Sequence, residues 1–184
     1  RGKNKNKGSG FERTVCHELS MWISHGEHDD LYWRSSMSGG RATVMFKKGG
    51  QNRTQNGDIT AIHPDGNILT EKFLISCKSY KSLNIAGAVL GTKSGLNSFW
   101  TECVTEAQQY NKNPMLICKQ NHTPTIVCLN DVGIIYFNLS GKCIAMLPGA
   151  GGGMSIFWLE KFLASAKRPV SNTNQPRILL RKAL

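Results

Sequence analysis

The sequence predicts one mixed α/β domain, with a central sheet of short apolar strands flanked by helices. Three observations predict it. Apolar residues recur near a 3.6 period at Phe11, Val15, Leu19, Trp22 and Ile23, and a second helical stretch covers residues 96–110. Short apolar runs such as Met115-Leu116-Ile117-Cys118 and Thr125-Ile126-Val127-Cys128-Leu129 follow, with strand length and strand composition. The chain has 184 residues, 40% of them hydrophobic, which suffices for one packed domain and not for two. Helices alternating with such strands build a sheet covered on its faces.

Residues 1–9 are basic and polar and predict a flexible arm along a phosphate backbone. The α/β domain is expected over residues 10–166, and residues 167–184 form a basic tail with Lys167, Arg168, Arg177, Arg181 and Lys182. A first helix is expected over residues 11–24, ended by His25-Gly26. Leu31-Tyr32-Trp33-Arg34 reads as a short strand entering a loop. Residues 37–57 are rich in Gly, Lys, Arg, Asn and Gln, and a loop of that length is usually functional or disordered. Ile59-Thr60-Ala61-Ile62 and Phe73-Leu74-Ile75-Ser76-Cys77 read as strands joined across Pro64-Asp65-Gly66-Asn67, which predicts a hairpin. Ile134-Ile135-Tyr136-Phe137 reads as a further strand and residues 156–166 as a last amphipathic helix. The glycines at 151–153 lack the Lys-Ser/Thr of a P-loop, so they mark a turn or hinge. The expected order is a helix, a three-stranded antiparallel portion, a second helix, then parallel additions. No internal repeat is visible.

Lys and Arg number 23 against 12 Asp and Glu, a formal charge of +11 that points to a polyanionic partner. No apolar run approaches the ~20 residues of a membrane span, and no signal-peptide pattern is present. The first residue is Arg1 rather than Met, so an initiator or a longer arm is expected ahead of it. The six cysteines form no Cys-X-X-Cys pair and mostly sit in apolar segments, which argues against zinc and for a reducing, cytoplasmic setting.

One constellation could carry chemistry. Asp58 enters a strand from a Gly-rich loop, and Lys78 follows twenty residues later. Residues two apart on a strand share a face, so Ser76 and Lys78 point the same way and Cys77 points into the core, leaving its carbonyl to a metal. Phosphodiester cleavage needs hard oxygen ligands for a metal, a positioned water and a cation against developing charge. Asp58 and Lys78 alone are a weak signal, since a turn Asp and a solvated edge Lys are ordinary. Glu12 with Arg13, and Arg34 ahead of a Ser/Gly loop containing Ser38, strengthen it. The five histidines are dispersed, and His25 and His28 beside Asp29 and Asp30 read as a polar turn. Trp100 and Tyr110 read as core, and Trp33 is ambiguous.

Through Gly8-Ser9-Gly10-Phe11-Glu12-Arg13, Arg34 with its loop, Gly57-Asp58-Ile59 and Ile75-Ser76-Cys77-Lys78, the chain resembles the PD-(D/E)XK nuclease superfamily, and within it the Holliday-junction resolvases of archaea and phages. The resemblance covers roughly residues 8–81. It implies a restriction-endonuclease-like core, Asp58 as the metal ligand assisted by Glu12 and the Cys77 carbonyl, and Lys78 as the catalytic lysine. It further implies Mg²⁺ or Mn²⁺ as cofactor, with Arg13, Arg34 and Ser38 on the DNA backbone, and the charge of the loop from Arg41 to Arg53 adds Arg41, Lys47 and Lys48 to that grip. The implied activity is cleavage of branched or structured DNA in a phage or prokaryotic cell, by a two-fold dimer making paired cuts.

Ser76 departs from the pattern, because the superfamily's second acid belongs there. Three explanations stand open. The residue was changed to trap an inactive protein; or the acid migrated to the next helix, where Glu102 and Glu106 lie one turn apart; or the chain binds DNA on a nuclease scaffold without cutting. Glu71, five residues from Ser76, points to the other face. A basic RNA-binding protein would explain the charge but not the spacing of Asp58 and Lys78.

Overall fold

Helix α1 (Lys5–Ile23) buries Val15, Leu19 and Trp22 along one side, as their spacing requires. The structure, a computed structural model, describes residues 5–35, 56–139 and 141–169. The helix starts at Lys5, six residues before the periodic apolar stretch, and ends where His25 (φ 58°) and Gly26 (φ 91°) turn left-handed. There the Gly26 amide donates to the Met21 carbonyl at 2.8 Å, closing the C-terminus. Strands β1 (Tyr32–Arg34) and β2 (Ile59–Ala61) pair antiparallel, Arg34 opposite Ile59.

After β2, a 3₁₀ turn (Pro64–Gly66) and the short helix α2 (Asn67–Thr70) lead to β3 (Phe73–Tyr80). The expected hairpin between residues 59–62 and 73–77 is not formed as a ladder. The connection is a helical detour rather than a tight turn, so β2 takes β1 as its partner while β3 pairs with β4 (Asn113–Gln120) in parallel. Parallel strands need a long crossover. Here it consists of α3 (Ile85–Val89), which the sequence reading did not foresee, and α4 (Gly95–Gln109), capped by the Ser94 hydroxyl accepting from the Leu96 amide.

The remaining strands β5 (Ile126–Leu129), β6 (Ala145–Leu147) and β7 (Met154–Trp158) complete a five-stranded sheet in the order β3-β4-β5-β7-β6. Every other pair is antiparallel, so the expected three-stranded antiparallel portion shrinks to β1–β2, and the expected parallel additions shrink to β4 beside β3, with β5, β7 and β6 added antiparallel. Residues 134–137, expected as a strand, fall in and just after α5 (Asp131–Tyr136). The Asn130 side chain accepts from the Gly133 amide at 3.0 Å and Asp131 sits in the first turn, so a strong N-cap overrides the β-branched run. Residues 156–158, expected as helix, belong to β7, and α6 (Leu159–Ser165) begins after them. The architecture is a mixed sheet flanked by helices, consistent with a restriction-endonuclease-like core. No described helix is long and apolar enough to cross a membrane.

Two apolar layers cover the sheet. On one face Phe73, Ile75 and Cys77 pack with Val15, Leu19 and Trp22 of α1. On the other, Leu74 packs with Leu96, Trp100 and Val104 of α4. Strand alternation therefore turns Ser76 and Lys78 toward α4. Ser20 ties α1 to β1: its buried hydroxyl donates to the Cys16 carbonyl and accepts from the Tyr32 amide at 3.1 Å. Replacing Ser20 by Ala strands that amide, so unfolding in urea should show a loss of about 1–3 kcal/mol with an unchanged m-value.

Candidate active site at the edge of strand β3

Asp58 is held by its backbone as much as by its side chain. Its amide donates to the Ile75 carbonyl at 2.8 Å, and its carbonyl accepts from the Ser35 amide at 2.9 Å. One carboxylate oxygen, Oδ2, accepts from the Cys77 amide at 2.7 Å and from the Ser76 hydroxyl at 3.2 Å. Gly57 makes this approach possible. Its φ is +77°, and a Cβ there would stand 2.7 Å from the Ile75 carbonyl oxygen. Just upstream, the half-buried ammonium of Lys112 donates to the Asn56 side chain at 2.6 Å, anchoring the segment that delivers Asp58. Because the Ile75 carbonyl and the Cys77 amide both face Asp58, the Cys77 carbonyl lies on that same edge, away from β4. The Cys77 thiol is buried in the α1 layer, and burial raises its pKa well above the ordinary value, so the carbonyl and not the sulfur is its donor to this edge.

Helix α4 returns antiparallel to β3 and lays one row of side chains over it. Two strand residues span about 6.6 Å and one helical turn about 5.4 Å, so the two rows stay nearly in step. The Lys78 ammonium is 3.5 Å from Glu102 Oε2 and 5.2 Å from the centre of the Phe99 ring. One turn further along, Glu106 faces Asp58. Burial raises the Glu106 pKa, and the Asp58 charge raises it further, with a smaller push from Glu102; the Gly57 backbone amide and Lys78 oppose them. Glu106 is thus half-buried against Asp58 and Lys78, whereas the Glu102 side chain is 62% exposed.

Of the residues singled out in the sequence, the structure brings together Asp58, Ser76, Cys77, Lys78, Glu102 and Glu106. Glu12 approaches from the opposite, α1 face, and its carboxylate accepts a close ion-paired bond from the Arg34 Nε. Arg13 is exposed on α1. Ser38, Arg41, Lys47 and Lys48, with the tail beyond residue 169, lie outside the described residues. Phe99, Asn56 and Lys112 were not anticipated. Phe99 could have been found three residues before Glu102, on the same helical face.

A family model described as "Phage putative PDDEXK endonuclease" matches residues 3–146. The chain belongs to this family. No curated protein and no solved structure matches it. The matched segment holds every member of the β3 and α4 rows.

PDDEXK endonucleases typically use divalent metals. Among the described residues no group of three or more His, Cys, Asp or Glu side chains could hold a metal ion. A hard cation such as Mg²⁺ nevertheless needs only one or two carboxylates, completing its shell with water and substrate phosphate. Asp58, held at the strand edge, and Glu106, bonded to the Gly57 backbone beside it, fit that demand together with the Cys77 carbonyl.

The Gly57 geometry is testable by stability. Gly91 also has positive φ (+71°) but nothing lies within 4 Å of a Cβ there. Gly91→Ala should cost only the left-handed backbone term of about 1–2 kcal/mol. Gly57→Ala should cost distinctly more in the same urea titration, because the strand carbonyl must also move. Equal losses would contradict the close approach.

Proposed function

We propose that this PDDEXK endonuclease cuts DNA and that Glu106 supplies the second carboxylate absent from β3. The observation that carries the reading is the placement of Glu106 against Asp58 and Lys78 on the face that Ser76 shares. Among the three explanations of Ser76, it supports migration of the acid to the following helix. Asp58, Glu106 and the Cys77 carbonyl would hold a divalent cation, Mg²⁺ or Mn²⁺. When bound, that cation supplies Lewis-acid polarisation of the phosphate oxygens.

The chain's own residues do the rest. Ser76 donates to Asp58 and fixes one of its oxygens. Lys78 stands at the phosphate and offsets the negative charge that grows as water attacks phosphorus. Glu102 steers the Lys78 ammonium, and Phe99 limits its other positions. Glu12 sets Arg34 at the end of β1, where the guanidinium can meet the DNA backbone, with exposed Arg13 beside it on α1. Ser38, Arg41, Lys47 and Lys48 would add backbone contacts, which position the duplex without reading its bases. Branched DNA is the proposed substrate, cut by a two-fold dimer that places paired incisions.

The test is cleavage of a labelled four-way junction and a matched duplex with Mg²⁺ or Mn²⁺. The unaltered chain should cut the junction in preference to the duplex. Asp58→Asn, Lys78→Met and Glu106→Gln should each lower the rate about a hundredfold or more. Glu102→Gln should lower it less, because Glu102 only positions Lys78. Full activity in Glu106→Gln would remove Glu106 from the site. Binding without cutting by the unaltered chain would replace the reading with a non-cutting DNA-binding protein.

A second prediction concerns Ser76→Glu. In the migrated-acid arrangement a third carboxylate crowds Asp58 and Glu106, so this variant should cut no faster than the unaltered chain. A large gain of activity would mean that the acid was lost rather than moved.

A further inference from the structure

The β3 row continues past the cutting site. Tyr80 lies two residues beyond Lys78 and on the same face. Its ring packs on Phe99, with centroids 4.9 Å apart and planes tilted by 31°. Phe99 is in turn packed against the α4 layer of the core, so the Tyr80 ring is supported from behind. Yet 48% of Tyr80 remains exposed. An aromatic ring backed on one side and open on the other is a stacking surface.

Beside it is a cleft of about 790 Å³, lined by Lys78, Ser79, Tyr80, Lys81, Asn121 and Gly8 of α1 among others. Its chemistry is that of a nucleotide site. Two ammonium groups suit phosphates, a hydroxyl and an amide suit a base edge or sugar, and the tyrosine offers a π-face. Among the described residues no carboxylate lines the cleft itself, and Glu102 stands 3.5 Å from Lys78 beside it. A base inside a duplex is already stacked on both sides, and freeing its face for a side chain costs the unstacking of a base step. A nucleotide already outside the helical stack therefore suits the ring better.

We propose that Tyr80, backed by Phe99, stacks one unpaired DNA base next to the phosphate held at Lys78, which makes it a determinant of substrate choice. The inference rests on the nuclease reading of the site and narrows its substrate to DNA with an unpaired nucleotide beside the cut, as at a fork, flap or gap, or where the central base pairs of a junction open. Base stacking tolerates sequence, so the selection is for strand structure and not for base identity.

The experiment is binding in EDTA, where nothing is cut, to a forked DNA with 2-aminopurine at the first unpaired position. A blunt duplex of equal length is the comparison. The unaltered chain should quench the 2-aminopurine on binding the fork. Tyr80→Phe should keep the quench and bind the fork within about twofold of the unaltered chain, since the π-face is retained. Tyr80→Leu, which keeps apolar contact with Phe99, should lose the quench and about five- to 150-fold in fork affinity while duplex affinity holds within about twofold. Equal losses on fork and duplex would overturn the proposal. Absence of quenching by the unaltered chain would overturn it without any variant. A protein that quenches but never cuts would sink the nuclease reading and leave this one standing, and a protein that cuts without quenching would do the reverse.

Discussion

The parallel pairing of β3 with β4 is the constraint on which the rest of the molecule depends. Because the two strands run the same way, the chain must travel back along the sheet between them, and α4 is that return. The helix is long enough to cover β3, and its turn length nearly matches two residues of strand. Phe99, Glu102 and Glu106 are therefore brought over Tyr80, Lys78 and the Asp58–Ser76 edge in one step. A hairpin in place of the crossover would leave Lys78 with no helix above it and Asp58 with no carboxylate opposite.

The two faces of β3 divide the work. The α1 face is dry, with Cys77 among Ile75, Phe73 and the apolar side of α1, and burial pushes the nearby Cys16 thiol up to about 12. At the solvent margin of this layer Glu12 pairs with Arg34, whose side chain stays partly exposed. The α4 face holds the charges of the candidate site. Asp58 stands at the strand edge between them, held by the strand's own backbone groups. Its position depends on Gly57, whose missing side chain lets the segment press onto Ile75. Ser76 fits this division. As a short hydroxyl it can donate to Asp58 while leaving room for a longer carboxylate arriving from the helix.

Much of this was legible in the sequence, and the failures have physical causes. The sheet and its helices follow from periodicity and strand composition, whereas the pairing of Asp58 with Lys78 and the candidacy of Glu102 and Glu106 rest on the resemblance to the nuclease superfamily, which spacing alone does not supply. Strand pairing did not, because residues 59–62 and 73–77 look like two arms of a hairpin until the helical detour at 64–70 is counted. Residues 134–137 read as a strand because their β-branched and aromatic side chains outweigh the Asn130 cap four residues before them. Choosing between Glu102 and Glu106 was beyond spacing alone: both lie on one helical face, and only burial separates them. Lys112 and Asn56 are 56 residues apart, and nothing local announces their contact.

The central claim is that the second carboxylate of this PDDEXK endonuclease comes from α4, at Glu106. Calorimetric titration of Mn²⁺ into the DNA-free protein tests it most directly, comparing the unaltered chain with Glu106→Gln and Glu12→Gln. The account predicts one cation site that weakens at least about tenfold in Glu106→Gln and is nearly unchanged in Glu12→Gln. The opposite pattern, a site lost with Glu12 and indifferent to Glu106, would contradict it.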